Sequence, residues 1–167
     1  MDTHKRLFIM RHGQAMPDNG SGDFERALTL HGQLQAQAIG DWLAEQQMIP
    51  QHIIASAAHR ARETAELVWN QLSPPPSLSI QVNLYQANAD NLLQFIFQQD
   101  DKRDSIMVIG HNPTLEELLY SQLDSPNNLT LGLQPGSLAI IEVNTSWSKL
   151  NPDACQLSQL IHADKRL

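Results

Sequence analysis

The chain holds a single cysteine, Cys155, among its 167 residues. A lone thiol closes no disulfide within the chain and builds no thiolate metal cluster. Set in a strand-like run, it reads as a small apolar filler. Basic runs are missing as well. Eleven Lys and Arg against 18 Asp and Glu leave a formal net charge of -7, which argues against a nucleic-acid surface. No apolar stretch reaches the length of a membrane span. Residues 2–6 are polar and the apolar run behind them is short, so no signal peptide is expected. Repeats and low-complexity segments are absent, and Ser73-Pro74-Pro75-Pro76 is a rigid turn rather than a linker. These absences leave a cytoplasmic protein with one domain over residues 1–167, long enough to bury a sizeable core.

What is present is an alternation of strands and helices. Residues 5–10 read as a buried strand, followed by a polar loop over 13–28 containing Gly13, Pro17, Gly20 and Gly22. Thr29 is a good N-cap for a helix that buries Leu34, Ala38, Trp42 and Leu43 and stops before Pro50. Residues 53–55 form a second strand and residues 59–72 a second helix. Residues 78–84 read as a third strand, and Leu92, Leu93, Phe95, Ile96 and Phe97 mark a third helix. The continuous apolar run at 105–109 is a strand covered on both faces, with a helix over 114–123 behind Pro113. Residues 137–143 and 154–161 read as an antiparallel hairpin. The predicted fold class is an α/β three-layer sandwich. Its central sheet is mostly parallel, helices cover both faces, and the C-terminal hairpin lies at the edge.

Polar residues fall at the ends of these strands. Arg11-His12-Gly13 follows the first, Ser56 the second, Tyr85 and Gln86 the third, and His111 the fourth. Ligands of an open α/β sheet bind outside the carboxyl ends of its strands, so four loops are predicted to converge on one edge. An arginine beside a histidine suits phosphate: the guanidinium holds an oxyanion and the imidazole attacks phosphorus.

Four motifs in order make the chain resemble the histidine phosphatase superfamily, which includes phosphoglycerate mutases and many phosphomonoesterases. They are Arg11-His12-Gly13, Leu28-Thr29-Leu30-His31-Gly32-Gln33, the segment Ser56-Ala57-Ala58-His59-Arg60-Ala61-Arg62-Glu63-Thr64-Ala65, and Gly110-His111-Asn112-Pro113. The short length is most similar to the small bacterial phosphohistidine phosphatases of the SixA type. The resemblance implies His12 as nucleophile, with Arg11 and Arg60 holding phosphate oxygens. His111 is then the second histidine, donating to the phosphoryl group, and Asn112 helps bind phosphate from the adjacent helix start. Arg62, two positions from Arg60, points to another face of its helix. His4, His31, His52, His59 and His162 read as surface or capping residues. No metal or cofactor is expected, because neither histidine motif carries a carboxylate and two arginines repel a cation.

The family pattern has a glutamate after the third strand as general acid. Here the run is Leu84-Tyr85-Gln86, and an amide donates no such proton; Asp90, near in sequence, could substitute, although a carboxylate at a helix start is more often a cap. Loss of the acid matters least when the leaving group is an imidazole. No insertion follows Gln86 that could cover the pocket, and an open site suits a phosphate displayed on a protein. The expected activity is removal of phosphate from phosphohistidine on a protein, such as a phosphotransfer domain, through a covalent phosphohistidine intermediate. A broad phosphomonoesterase and a non-catalytic phosphate-binding module remain as alternatives.

Overall fold

A computed structural model describes residues 4–123 and 132–167. In chain order the main elements are β1 (Lys5–Arg11), α1 (Leu30–Glu45), β2 (His52–Ser56), α2 (His59–Trp69), β3 (Ser77–Gln81), α3 (Ala89–Phe97), β4 (Ser105–Gly110), α4 (Thr114–Gln122), β5 (Leu138–Val143) and β6 (Cys155–Ile161). The strands form one sheet in the order β3-β2-β4-β1-β5-β6. The first four run parallel, while β5 pairs antiparallel with both β1 and β6. The fold class therefore matches the sequence expectation, hairpin included.

Strand periodicity explains the two covered faces. Successive side chains of a strand point to opposite sides. Leu7 and Ile9 of β1, with Ile106 and Val108 of β4, pack against Leu92 and Ile96 of α3 and Leu115, Leu118 and Leu119 of α4. Phe8, Met10, Met107 and Ile109 point the other way, onto Ala36, Ile39 and Leu43 of α1 and Ala65 and Val68 of α2. At each burial, removing a Leu- or Ile-sized side chain from water is worth about 1.5–3 kcal/mol. The arrangement also creates the site. β1 and β4 are neighbours, yet β1 leads to α1 on one face and β4 to α4 on the other. Their following loops diverge and leave a crevice at the carboxyl edge.

Four local expectations need correction. The buried side of α1 comprises Gly32, Gln35, Ala36, Ile39, Gly40, Trp42 and Leu43, whereas Leu34 is exposed and Ala38 half-buried. Small residues at 32, 36 and 40 share one helix stripe and permit close approach. A Cβ on Gly32 would stand 2.1 Å from the Gln14 carbonyl oxygen, and one on Gly40 would stand 2.9 Å from that of Val68. The third strand ends at Gln81 and gives way to a 3-10 turn over Val82–Leu84 that buries Leu84. Helix α2 ends at Trp69, and Gln71 and Leu72 close it with tighter bonds to the carbonyls of Val68 and Trp69. His52 is also no surface residue. It is buried in β2 between the Ser77 and Ser79 hydroxyls.

Gly32 and Gly13 hold the Arg-His-Gly turn against the start of α1, since a Cβ on Gly13 would in turn lie 2.5 Å from the Gly32 oxygen. Both contacts are to backbone, which cannot rotate away. Gly32→Ala should lower the unfolding free energy by ~1–3 kcal/mol, the usual cost of overpacking. Urea denaturation measures it, and wild-type stability in the variant would refute the close approach.

Candidate active site

His12 is the centre of the site. It follows the last residue of β1, and its backbone N–H extends the parallel ladder to the Gly110 carbonyl at 3.2 Å. The ring is buried, with 9% of the residue exposed. Its Nδ1 lies 2.7 Å from the Gly13 carbonyl oxygen. A carbonyl only accepts, so Nδ1 carries the hydrogen. Arg60 Nε lies 3.3 Å from His12 Nε2 and only donates. Both partners therefore specify one tautomer, with the lone pair on Nε2. Thr64 fixes the turn: its hydroxyl accepts from the Gly13 N–H at 3.1 Å and donates to the Arg60 carbonyl at 2.7 Å. The Thr of the third motif thus ties the helix bearing Arg60 to the turn bearing His12.

Arg60 is buried in the first turn of α2 and is locked by one residue of the long loop. Its Nη1 donates to the Asp23 carbonyl at 2.8 Å and its Nη2 to Asp23 Oδ2 at 3.0 Å. The same Oδ2 accepts the Tyr85 hydroxyl at 2.6 Å, and Oδ1 accepts from Arg26 Nη1 at 2.9 Å. The Tyr85 hydroxyl, then Arg26 and Arg60, hold the Asp23 carboxyl well below the usual carboxylate range. Asp23 in turn raises the Tyr85 pKa. The Tyr85 ring meets Phe24 edge-on at 4.9 Å and His111 edge-on at 5.8 Å.

His111 follows β4 and stands beside the nucleophile candidate, with ring centroids 5.2 Å apart. Its Nε2 lies 2.8 Å from the Ser56 hydroxyl at the end of β2. Its Nδ1 is buried and has no hydrogen-bond partner among the described residues, and Arg11 Nε shares that condition. Arg11 Nη1 donates to the Leu133 carbonyl at 3.1 Å. Asn112 is in the same loop, but its amide nitrogen is committed to Glu116 Oε1 and to that same Leu133 carbonyl. Glu116 Oε1 also accepts the Leu133 N–H. Asn112 and Glu116 therefore brace the backbone that receives Arg11.

The sequence reading brought His12, Arg11, Arg60 and His111 to one edge, and the structure brings them there. Gln86 and Asp90 do not join them. Both are exposed, and neither bonds to any member of the cluster. Gln86 lines an open groove of about 670 Å³ with Asn83, Asn91, Gln94 and Phe95, whose walls exclude both site histidines. Asp90 sits in the first turn of α3, behind the Asn88 cap. After the 3-10 turn it is Tyr85, one residue earlier, that reaches the site. Asp23 was read only as part of a polar loop. The signal available for it was an acid three residues before Arg26, in the segment between the Arg-His-Gly turn and Leu28-Thr29.

An open α/β sheet thus gathers two histidines and two arginines outside the carboxyl ends of its parallel strands, where ligands of such sheets bind. The model of the histidine phosphatase superfamily, branch 1, matches residues 7–84. Phosphohistidine phosphatase SixA of Escherichia coli is 30% identical over 116 residues, spanning 68% of this chain and 71% of that one. The chain belongs to the histidine phosphatase superfamily. A SixA protein of Agrobacterium tumefaciens shares the fold with a TM-score of 0.81 at 25% identity, covering 94% of this chain and 97% of its own. The protein histidine phosphatase SixA complexed with tungstate gives 0.80 at 21% identity over 96% and 98%.

Burial pushes the His12 pKa down to about 3; the Gly13 bond opposes it, and the charges of nearby His111, Arg60 and Arg11 add smaller lowering effects. Burial and then Arg60 push His111 down to about 4. Both rings are therefore neutral at physiological pH. The unfolded chain takes up these protons near 6.5, the folded chain only near 3 and 4. Stability contributed by keeping the rings neutral is thus present above about 6.5 and is lost as the pH falls toward the folded values. In anion-free protein the NMR signals of both rings should not titrate between pH 8 and pH 5. A midpoint near 6.5 for either ring would contradict the burial argument.

Proposed function

We propose that this phosphatase of the histidine phosphatase superfamily removes phosphate from phosphohistidine on a protein, such as a phosphotransfer domain, in the cytoplasm. The observation that carries the reading is the pair of buried polar atoms without a described partner, Arg11 Nε and His111 Nδ1, gathered with a neutral His12 whose lone pair is on Nε2. A buried donor without a partner costs about 1–3 kcal/mol, and a phosphoryl oxygen satisfies it. In this reading His12 is the nucleophile, Arg11, Arg60 and His111 are the phosphate-binding groups, and Asn112 acts through Leu133.

The chemistry follows from those atoms. The Nε2 lone pair of His12 attacks phosphorus, and Arg60 Nε transfers its hydrogen bond from Nε2 to an equatorial phosphate oxygen. The bond from phosphorus to the substrate ring nitrogen breaks, and its electron pair stays on that nitrogen. A substrate ring already protonated on its other nitrogen departs as neutral imidazole. Water then attacks phosphorus, the pair of the P–Nε2 bond returns to His12, and the water proton passes to solvent. The Gly13 carbonyl keeps Nδ1–H in place through both steps. The guanidinium groups stabilise charge on the equatorial oxygens.

The leaving group decides the substrate. An alkoxide needs a proton as it leaves, and general acid catalysis supplies about 10²–10⁴-fold. Gln86 and Asp90 stand outside the cluster, and Asp23 is an anion tied to Arg60. A phosphohistidine needs no such donor. The relationship to a phosphohistidine phosphatase supports the same choice.

The test compares kcat/KM on a phosphohistidine-bearing protein and on an alkyl phosphate, in wild type and in His12→Ala, Gln86→Ala and Asp90→Asn. The phosphohistidine substrate should be strongly preferred, and His12→Ala should abolish turnover of both. Gln86→Ala and Asp90→Asn should lose nothing near the ~10²–10⁴-fold cost of removing a general acid. Substantial activity in His12→Ala, or a preference for alkyl phosphate, would overturn the proposal; the latter outcome identifies a phosphomonoesterase.

A further inference from the structure

Ser56 ends β2, is completely buried, and is the only described residue that bonds to the His111 ring. Its hydroxyl oxygen accepts the Ala58 N–H at 3.3 Å. Its other contact among the described residues is His111 Nε2, at 2.8 Å. A serine hydroxyl has one hydrogen and two lone pairs. If His111 carried its hydrogen on Nε2, both lone pairs of Ser56 would be used as acceptors and its own hydrogen would lack a described acceptor. A buried hydroxyl left so costs about 1–3 kcal/mol. With the hydrogen on Nδ1 instead, the Ser56 hydroxyl donates to Nε2 and both groups are satisfied at that contact. The hydrogen of His111 is then placed on Nδ1, the buried atom with no other described partner.

We propose that Ser56 is a positioning residue that fixes His111 as the neutral Nδ1–H tautomer, making the second histidine a hydrogen-bond donor to the phosphoryl group and not a proton carrier. The donor role rests on the proposed phosphatase reading; the tautomer rests on the Ser56 contacts alone. The two site histidines are thereby set in the same tautomer by different partners. The Gly13 carbonyl accepts from His12 Nδ1, while the Ser56 hydroxyl donates to His111 Nε2. One lone pair and one N–H result, on rings 5.2 Å apart. Loss of Ser56 removes the preference and lets His111 place its hydrogen on Nε2, where the phosphoryl group receives a lone pair in place of a donor.

Nitrogen-15 NMR of imidazole-labelled protein, with and without inorganic phosphate, reads the tautomer directly and needs no turnover. In wild type, His111 Nδ1 should be the protonated ring nitrogen, and its signal should move when phosphate is added. Ser56→Ala should yield a mixture of tautomers, weaken phosphate binding, and lower kcat/KM on phosphohistidine roughly 10–100-fold, the range seen when the outer partner of a ligating histidine is removed. Ser56→Thr, which keeps the hydroxyl, should restore the tautomer. A wild-type His111 protonated on Nε2, or a Ser56→Ala protein with wild-type tautomer and phosphate affinity, would overturn the proposal. A wild type with the Nδ1–H tautomer, disturbed in Ser56→Ala, but without phosphatase activity, supports the tautomer assignment and overturns the phosphatase reading instead.

Discussion

The hydrogen bond from His12 Nδ1 to the Gly13 carbonyl, 2.7 Å long, is the interaction on which the rest of the site depends. It joins adjacent residues, so only the backbone of the turn has to be held for the ring to be held. Gly13 and Gly32 hold it by packing backbone on backbone at distances no side chain tolerates. Thr64 adds a bond from the helix that carries Arg60. The glycines and the threonine of the three N-terminal motifs are thus one mechanical unit, and its output is a lone pair on Nε2.

One cation engages that lone pair directly, and only through a long hydrogen bond of 3.3 Å. Arg60 approaches through Nε, while both Nη groups are occupied by Asp23. Arg11 is anchored by one Nη on the Leu133 carbonyl. Burial keeps both rings neutral, so the positive charge of the pocket resides on the two guanidinium groups. Guanidinium stays charged at any physiological pH. Anion attraction is therefore independent of the protonation of the nucleophile. Asp23 offsets part of that charge from the rim and ties the exposed loop to α2 and to Tyr85.

Most of the framework was legible because strand periodicity is robust. The apolar runs ending in Arg11 and Gly110 are buried on both faces, and their ends carry the chemistry. What the sequence concealed has specific causes. Leu34 was expected in the core because it is large and apolar, but the small residues 32, 36 and 40 set the rotation of α1 by close approach. Reading residues 78–84 as one strand misjudged which side chain enters the site. After the 3-10 turn at Val82–Leu84 the Tyr85 hydroxyl reaches Asp23, while Gln86 is exposed in a groove that Tyr85 also borders. Asp23 lies in an exposed segment rich in glycine and polar residues, where an aspartate reads as a turn residue. Its three-dimensional contacts with Arg60 and Tyr85 set it apart far more than its spacing from Arg26. Ser56 was seen at a strand end, but its role depends on a hydrogen count that sequence does not supply.

The central claim is that phosphorus bonds to Nε2 of His12 during turnover. Rapid quenching at alkaline pH with phosphorus-32 substrate, followed by NMR assignment of the phosphorylated ring atom, tests it most directly. The account predicts an acid-labile phosphate on His12 alone, attached at Nε2, because Nδ1–H is held by the Gly13 carbonyl. Phosphate at Nδ1 of His12, phosphate on His111, or turnover with no protein-bound phosphate under conditions that preserve phosphohistidine would contradict it.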